Sequence, residues 1–381
     1  MSAQPATSSN AYDSRSHPPR NVIVVGAGIM GASISYHLAK RGARVTLIEQ
    51  AAPASGTTSA SFAWINANNK RPFNYYRLNY EGILGWHRLQ HEIGTSLEIQ
   101  WGGSLAWCGP EADRIQSLKS ALDYHPRWGY PIYPIDAVTL GEQVKGLVPG
   151  EFSEGWQASL EGTLDPVAAT RALVAAAEGL GATYVNTAVH QLVMAADHAR
   201  GVQTDQGLLE ADEIVIAAGN GTQDLAAQAG IKVPLKLSRG ILAHSTPLPS
   251  TIHQVLMPPD ADIKQNPDGR IVTGANFGDS GDTEPTAELG QALLDRVSSH
   301  FPALGPLELD YMTHGERVLP LDELPIMGRG DQCHNVRVAA MHSGITAAPI
   351  IGQLFSMEIL DQIETLLLDD YRPARFDGYL E

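Results

Sequence analysis

Near the start of the 381-residue chain, Gly26-Ala27-Gly28-Ile29-Met30-Gly31 has glycines at a spacing that suits a phosphate-bearing ligand. The run follows Asn21-Val22-Ile23-Val24-Val25, an apolar, β-branched segment that predicts a strand buried on both faces. After it, Ile34 and Leu38 sit four apart in a helical pattern that ends at Lys40-Arg41-Gly42, where basic residues and a glycine close a helix well. In that setting Gly26 allows a tight turn, Gly28 lets the backbone approach a pyrophosphate, and Gly31 lets helix pack on strand. The phosphate charge then meets the helix N-terminus. Arg44-Val45-Thr46-Leu47-Ile48-Glu49 predicts a second buried strand ending in an acid that can accept ribose hydroxyls. Residues 21–49 thus read as one βαβ unit that binds a dinucleotide, against the bland alternative of a glycine turn that binds nothing. A carboxylate at Glu49 would face the 2′-phosphate of NADP, so NADP fits poorly.

The elements that follow decide which dinucleotide is favoured. Tyr184-Val185 predicts a strand, and Val189 to Val193 with a hairpin turning near Gly207 predicts a three-stranded meander at about 189–210. Glu213 to Ala218 predicts another buried strand ending at Gly219. This return of the chain suits a long, extended dinucleotide that touches several sheet edges. Ala54 to Ser61 is rich in small hydroxyl residues that suit a pyrophosphate or ribityl chain, although a Ser/Thr-rich loop alone is the commoner reading.

Elsewhere the pattern predicts a long amphipathic helix over 74–93 and strands and loops over 97–150. A helix begins at Asp165-Pro166, and another lies near 286–299. Short strands alternate with Pro and Gly turns over 236–325. A strand at Val336 to Ala340 leads into a final helix over about 347–367. The fold class expected is α/β, a Rossmann-like domain with an interleaved antiparallel-sheet domain. Residues 21–90, 155–235 and 326–367 would form the discontinuous dinucleotide domain, and 91–154 and 236–325 the substrate domain. Residues 1–20 are expected to be a disordered tail.

Composition bounds the rest. The length suits two or three units at roughly 150 residues each. A net charge of −16 argues against general nucleic-acid binding, which needs clustered Lys and Arg. Two distant cysteines, Cys108 and Cys333, make a disulfide unforced and a reducing compartment the better expectation. No signal peptide and no apolar run long enough to span a membrane is seen, so a cytoplasmic location is expected.

Taken together, the chain resembles the D-amino-acid oxidase, glycine oxidase and sarcosine oxidase family of FAD enzymes from about Asn21 to about Leu367. The similarity is carried by GAGIMG with Glu49, GTTSASFAW, GTLDPVAATRALVAAAEGLGATYVNTAV, DEIVIAAGNGT, VPLKLSRG, GERVLPLDELPIMG and AAMHSGITAAPIIG, in that order. The resemblance implies that Gly26, Gly28, Ile29, Met30 and Gly31 hold the FAD pyrophosphate and Glu49 the adenosine ribose. It places Gln50, at a position often basic in the family, on the adenine side. It implies that Thr57 and Thr58 touch the phosphates and that Ser61, Phe62, Ala63 and Trp64 pass the flavin. Val189 would bond adenine through its backbone, and Ala218 and Gly219 would flank the cofactor. Amides of Gly344, Ile345 and Thr346 would face the flavin O2 edge, where a helix N-terminus stabilises negative charge. No Cys or His stands in the segments that tether flavin in some members, so the FAD is expected to be noncovalent.

The reaction class implied is oxidation of an amine C–N bond to an imine, with hydrolysis of the imine and reoxidation by oxygen or another acceptor. Arg317 stands at the family's arginine position and would pair with a substrate carboxylate. His342 contacts substrate or flavin, or is a loop histidine with a satisfied hydrogen bond. Lys264 faces either the flavin or solvent. Lys70 and Arg71 read as an exposed basic pair, with the cavity entrance as the alternative, and Tyr75 and Tyr76 as core. The second carboxylate-binding arginine of some members is absent near His342, which opens secondary amines, cyclic amines and opine-like compounds as substrates. A dehydrogenase passing electrons to a carrier or quinone is the alternative to an oxidase, and a noncatalytic flavin subunit is a third reading. The sequence leaves the oligomeric state open.

Overall fold

The computed structural model describes residues 20–274, 280–281 and 283–378. The tail expected at 1–20 lies outside the described residues except for Arg20. That residue is held in place, its carbonyl accepting from Arg44 N at 2.9 Å and its guanidinium paired with Glu213.

Strand β1 (Asn21–Val25) lies at the centre of a six-stranded sheet. It pairs in parallel with β2 (Arg44–Glu49) on one side and with Glu213–Ile216 on the other. Thr183–Asn186 extends the sheet beyond β2, and Val336–Ala340 extends it beyond Glu213–Ile216, both in parallel. Ile326–Arg329 closes the edge antiparallel. The continuous apolar runs have a simple cause: side chains alternate and both faces are covered. Val22, Val24, Val45 and Leu47 face one core, whereas Ile23, Val25, Ile48, Ile214 and Ile216 face another. Helix α1 (Ile29–Lys40) packs between Pro166–Gly179 and Gly344–Leu360 on the first face. The meander Val189–Ala195, His198–Thr204 and Gly207–Glu210 stands beside the second.

An eight-stranded sheet gathers Leu309–Glu316, Arg239–Ser245, Ile271–Gly274, Asp262–Gln265, Val255–Met257, Ser104–Cys108, Glu154–Ala158 and Ile132–Pro134, in that spatial order. Its neighbours are antiparallel except where Val255–Met257 runs parallel to Ser104–Cys108. One sheet therefore unites strands from two blocks far apart in sequence. Glu154–Ala158 belongs to it and runs across the boundary expected at residue 155.

Two element expectations need correction. The segment 97–150 contains two helices, Ala112–Tyr124 and Ala137–Gln143. Each buries only one side chain fully, Ala121 and Leu140, although Ile115, Leu118 and Leu122 recur at helical spacing in the first and Leu118 and Leu122 pack against the core. The final helix is Gly344–Leu360, starting earlier and ending earlier than expected. Pro349 sits inside it and cannot donate to the Ile345 carbonyl. The Trp86 indole of α2 (Phe73–Ile93) fills that role, donating to Ile345 O at 2.8 Å.

Among the described residues no helix is long and apolar enough to cross a membrane. Cys108 and Cys333 are both free and buried.

Candidate functional site

The ends of β1, β2 and Glu213–Ile216, the N-termini of α1 and Gly344–Leu360, and one side of the eight-stranded sheet open on a single cavity of about 2100 Å³. Its dinucleotide end is built by local backbone demands. Gly26 has φ +102°, and a Cβ there would lie 2.4 Å from the Ala217 carbonyl oxygen, so only glycine lets this turn close on the neighbouring strand. Gly31 does not line the cavity; a Cβ there would strike the Gly26 carbonyl at 1.9 Å, which matches its packing role. At Gly28 a Cβ would meet only Thr58 Oγ1, at 3.2 Å, leaving a cradle open above the first turn of α1. That turn has no side-chain cap. Ile29 N donates to Thr58 Oγ1 at 3.2 Å, and the positive helix end faces the cavity.

Met30, Gln50, Thr57, Val189, Ala218 and Gly219 line the same cavity. Thr57 Oγ1 donates to the Glu316 carbonyl at 2.7 Å, tying the hydroxyl-rich turn to the eight-stranded sheet. Glu49 Oε2 accepts from Ala27 N at 2.9 Å, and Oε1 accepts from Ala51 N at 3.0 Å. The acid thus shapes the glycine loop as well as presenting lone pairs to a ribose.

Ser61, Phe62, Ala63 and Trp64 line the cavity, as do Gly344, Ile345 and Thr346. Thr346 Oγ1 accepts from Asn66 N at 3.1 Å and donates to the Trp64 carbonyl at 3.3 Å, so the two segments are stitched side by side. Tyr75 OH and Ser343 Oγ are 2.7 Å apart, fixing the turn before the last helix, and burial pushes the Tyr75 phenol up to about 12.

The three candidate catalytic residues separate. Arg317 lines the cavity, its Nη1 donating to Ser238 Oγ at 3.0 Å and to the Arg239 carbonyl. Gly240 makes room for it: a Cβ at 240 would lie 2.7 Å from Arg317 Nη2. His342 also lines the cavity, and burial, helped by the charges of Lys70 and Arg317, pulls its imidazole down to about 3. It is a neutral ring at ordinary pH. Lys264 does not line the cavity. It lies buried on Asp262–Gln265, donates to the Leu164 carbonyl at 2.8 Å, and stands 5.7 Å from the centroid of Phe62. Burial pulls its ammonium down to about 7.

Two site residues carry no sequence signal of their own. Lys70 lines the cavity, so the exposed-pair reading of it is corrected; burial pulls it down to about 8. Glu161 is fully buried behind the wall. It accepts from Trp64 Nε1 at 2.8 Å and from the hydroxyls of Ser104 and Tyr130, yet burial dominates and pushes it up to about 7. Gly240 could have been noticed from the VPLKLSRG segment, but its reason is visible only beside Arg317.

Comparison with known proteins agrees with this geometry. The family model described as DAO, FAD dependent oxidoreductase, matches residues 21–357. A 4-methylaminobutanoate oxidase (formaldehyde-forming) of Paenarthrobacter nicotinovorans is 29% identical over 374 residues, covering 91% of this chain and 45% of that protein. The chain thus spans less than half the length of that relative. A glycine oxidase of Bacillus licheniformis is 25% identical, covering 93% of this chain and 97% of that protein. The solved structure of L-proline dehydrogenase from P. horikoshii superposes with a TM-score of 0.83 at 24% identity, covering 95% of this chain and 99% of that one. The open cradle at Gly28, the uncapped helix end and the family match lead to one conclusion: the chain belongs to the DAO family of FAD dependent oxidoreductases.

Proposed function

We propose that this enzyme oxidises the C–N bond of an amine that also carries a carboxylate, releasing an imine for hydrolysis, with oxygen as the electron acceptor. The observation that carries the substrate class is Arg317. Its guanidinium opens on the same cavity as the dinucleotide cradle and is oriented by Ser238 and the Arg239 carbonyl. A guanidinium is a planar fork of donors whose geometry matches a carboxylate. Gly28, Ile29, Thr58, Glu49 and Val189 would hold FAD noncovalently, and it would supply the two-electron acceptor for the C–N oxidation.

The chain's own residues do the rest. Neutral His342 places an uncharged polar ring in the cavity, compatible with an amine bound as its free base. The amides at the uncapped start of Gly344–Leu360 favour negative charge at that wall. A dehydrogenase acting on a secondary or cyclic amine or an opine is the alternative.

The test is anaerobic bleaching of the holoenzyme with secondary amines, D- and L-amino acids and opines, followed by admission of oxygen. Bleaching by carboxylated amines and fast peroxide release support the proposal. A flavin that no amine bleaches overturns it; slow reoxidation by oxygen but fast reoxidation by a quinone replaces oxidase with dehydrogenase.

A further inference from the structure

Four basic side chains open on the cavity besides the histidines, and three are already engaged. Arg71 stacks on Tyr124 at 3.7 Å and donates to Ser120 Oγ at 3.0 Å. Lys236 pairs with Glu323 at 2.6 Å. Arg317 is held by Ser238 and Arg239. Lys70 differs. Among the described residues it has no ion pair or hydrogen bond, only the Tyr75 ring at 5.8 Å. The one carboxylate whose charge acts on it is Glu161, and both oxygens of Glu161 are taken by Trp64, Ser104 and Tyr130.

Lys70 is half-buried, and an ammonium partly withdrawn from water without a counter-ion is unfavourable. Lys70, Arg317 and His342 all line this one cavity. A substrate with a single carboxylate on Arg317 leaves Lys70 unmet. We propose that Lys70 is a second anion subsite and that the preferred substrate is an amine bearing two anionic groups, one for Arg317 and one for Lys70. This rests on the amine-oxidation reading above and narrows its substrate class.

The test uses the FAD-loaded enzyme and calorimetric titration with thioether dicarboxylates of increasing length, from thiodiacetate upward, against methylthioacetate. These ligands have no oxidisable amine, so binding is read without turnover. At least one dicarboxylate should bind about 30-fold more tightly than the monocarboxylate, a ratio that collapses in Lys70→Gln and survives in Lys70→Arg. Equal affinities in the wild type overturn the proposal. So does a Lys70→Gln variant that keeps the ratio while shifting the flavin midpoint potential, since Lys70 would then serve the cofactor. If Lys70→Gln does not take up FAD, the wild-type ratio and Lys70→Arg decide. Bleaching by amine monocarboxylates with no dicarboxylate preference overturns this inference alone; absence of bleaching by every amine overturns the reading beneath it.

Discussion

The indole of Trp64, on the cavity wall, donates to the fully buried carboxyl of Glu161 at 2.8 Å. Tyr130 bonds the other oxygen of Glu161 and accepts from Ala67 N at 3.1 Å, so one buried acid steadies the segment that runs from Trp64 towards Lys70. Burial raises Glu161 from 4.5 to about 7. The folded chain therefore binds this proton more tightly than the unfolded chain, and stability falls as pH rises from 4.5 to about 7. Glu161→Gln removes the titration. Measured by urea unfolding at both ends of that window, the wild type should lose about 3 kcal/mol relative to Glu161→Gln on going to the higher pH. Parallel pH profiles for the two proteins would show that Glu161 does not titrate there.

Arg317→Ala removes the forked donor and should lower kcat/KM for a carboxylated amine by about 10²- to 10³-fold, mostly through KM. FAD content should be unchanged, because Arg317 is held by Ser238 and Arg239 rather than by the dinucleotide cradle. Unchanged steady-state kinetics would remove its assigned role.

Gly240→Ala tests the same site without touching the arginine. The added Cβ would lie 2.7 Å from Nη2 and 3.1 Å from Cζ, so the guanidinium must move. A loss of about 10- to 100-fold in kcat/KM is expected, since misplacing a positioning group by a fraction of an ångström is costly. The check is its ratio across substrates: a carboxylated amine should suffer and an uncarboxylated analogue should not.

The dinucleotide half was legible because its chemistry is local. Gly26 and Gly31 are demanded by backbone contacts one strand or a few residues away, and Glu49 ends the adjacent strand. The substrate half was less legible because it is assembled from afar. The eight-stranded sheet joins Ser104–Cys108 to Val255–Met257, a pairing no period in the sequence announces. Lys70 read as exposed because a basic dipeptide before Pro72 gives no sign of the cavity around it. Glu161 gave no sign at all, since its three donors come from residues 64, 104 and 130. The helix Ala112–Tyr124 did leave a sign, since Ile115, Leu118 and Leu122 recur at helical spacing, but the Gly, Pro and Trp residues around it drew the reading to strands and loops.

Thr58→Val probes the cradle itself. The hydroxyl accepts from Ile29 N at 3.2 Å in the first turn of α1 and faces the cavity beside Gly28. Valine keeps the shape, removes the acceptor and takes away a donor that a phosphate oxygen would use. The FAD dissociation constant should rise by about 5- to 30-fold, read by flavin fluorescence as apoprotein is titrated. The effect should appear in FAD affinity and leave KM of the FAD-saturated enzyme within about threefold, because the Thr58 hydroxyl bonds the first turn of α1 and not Arg317. A change in KM with no change in FAD affinity would place Thr58 at the substrate instead.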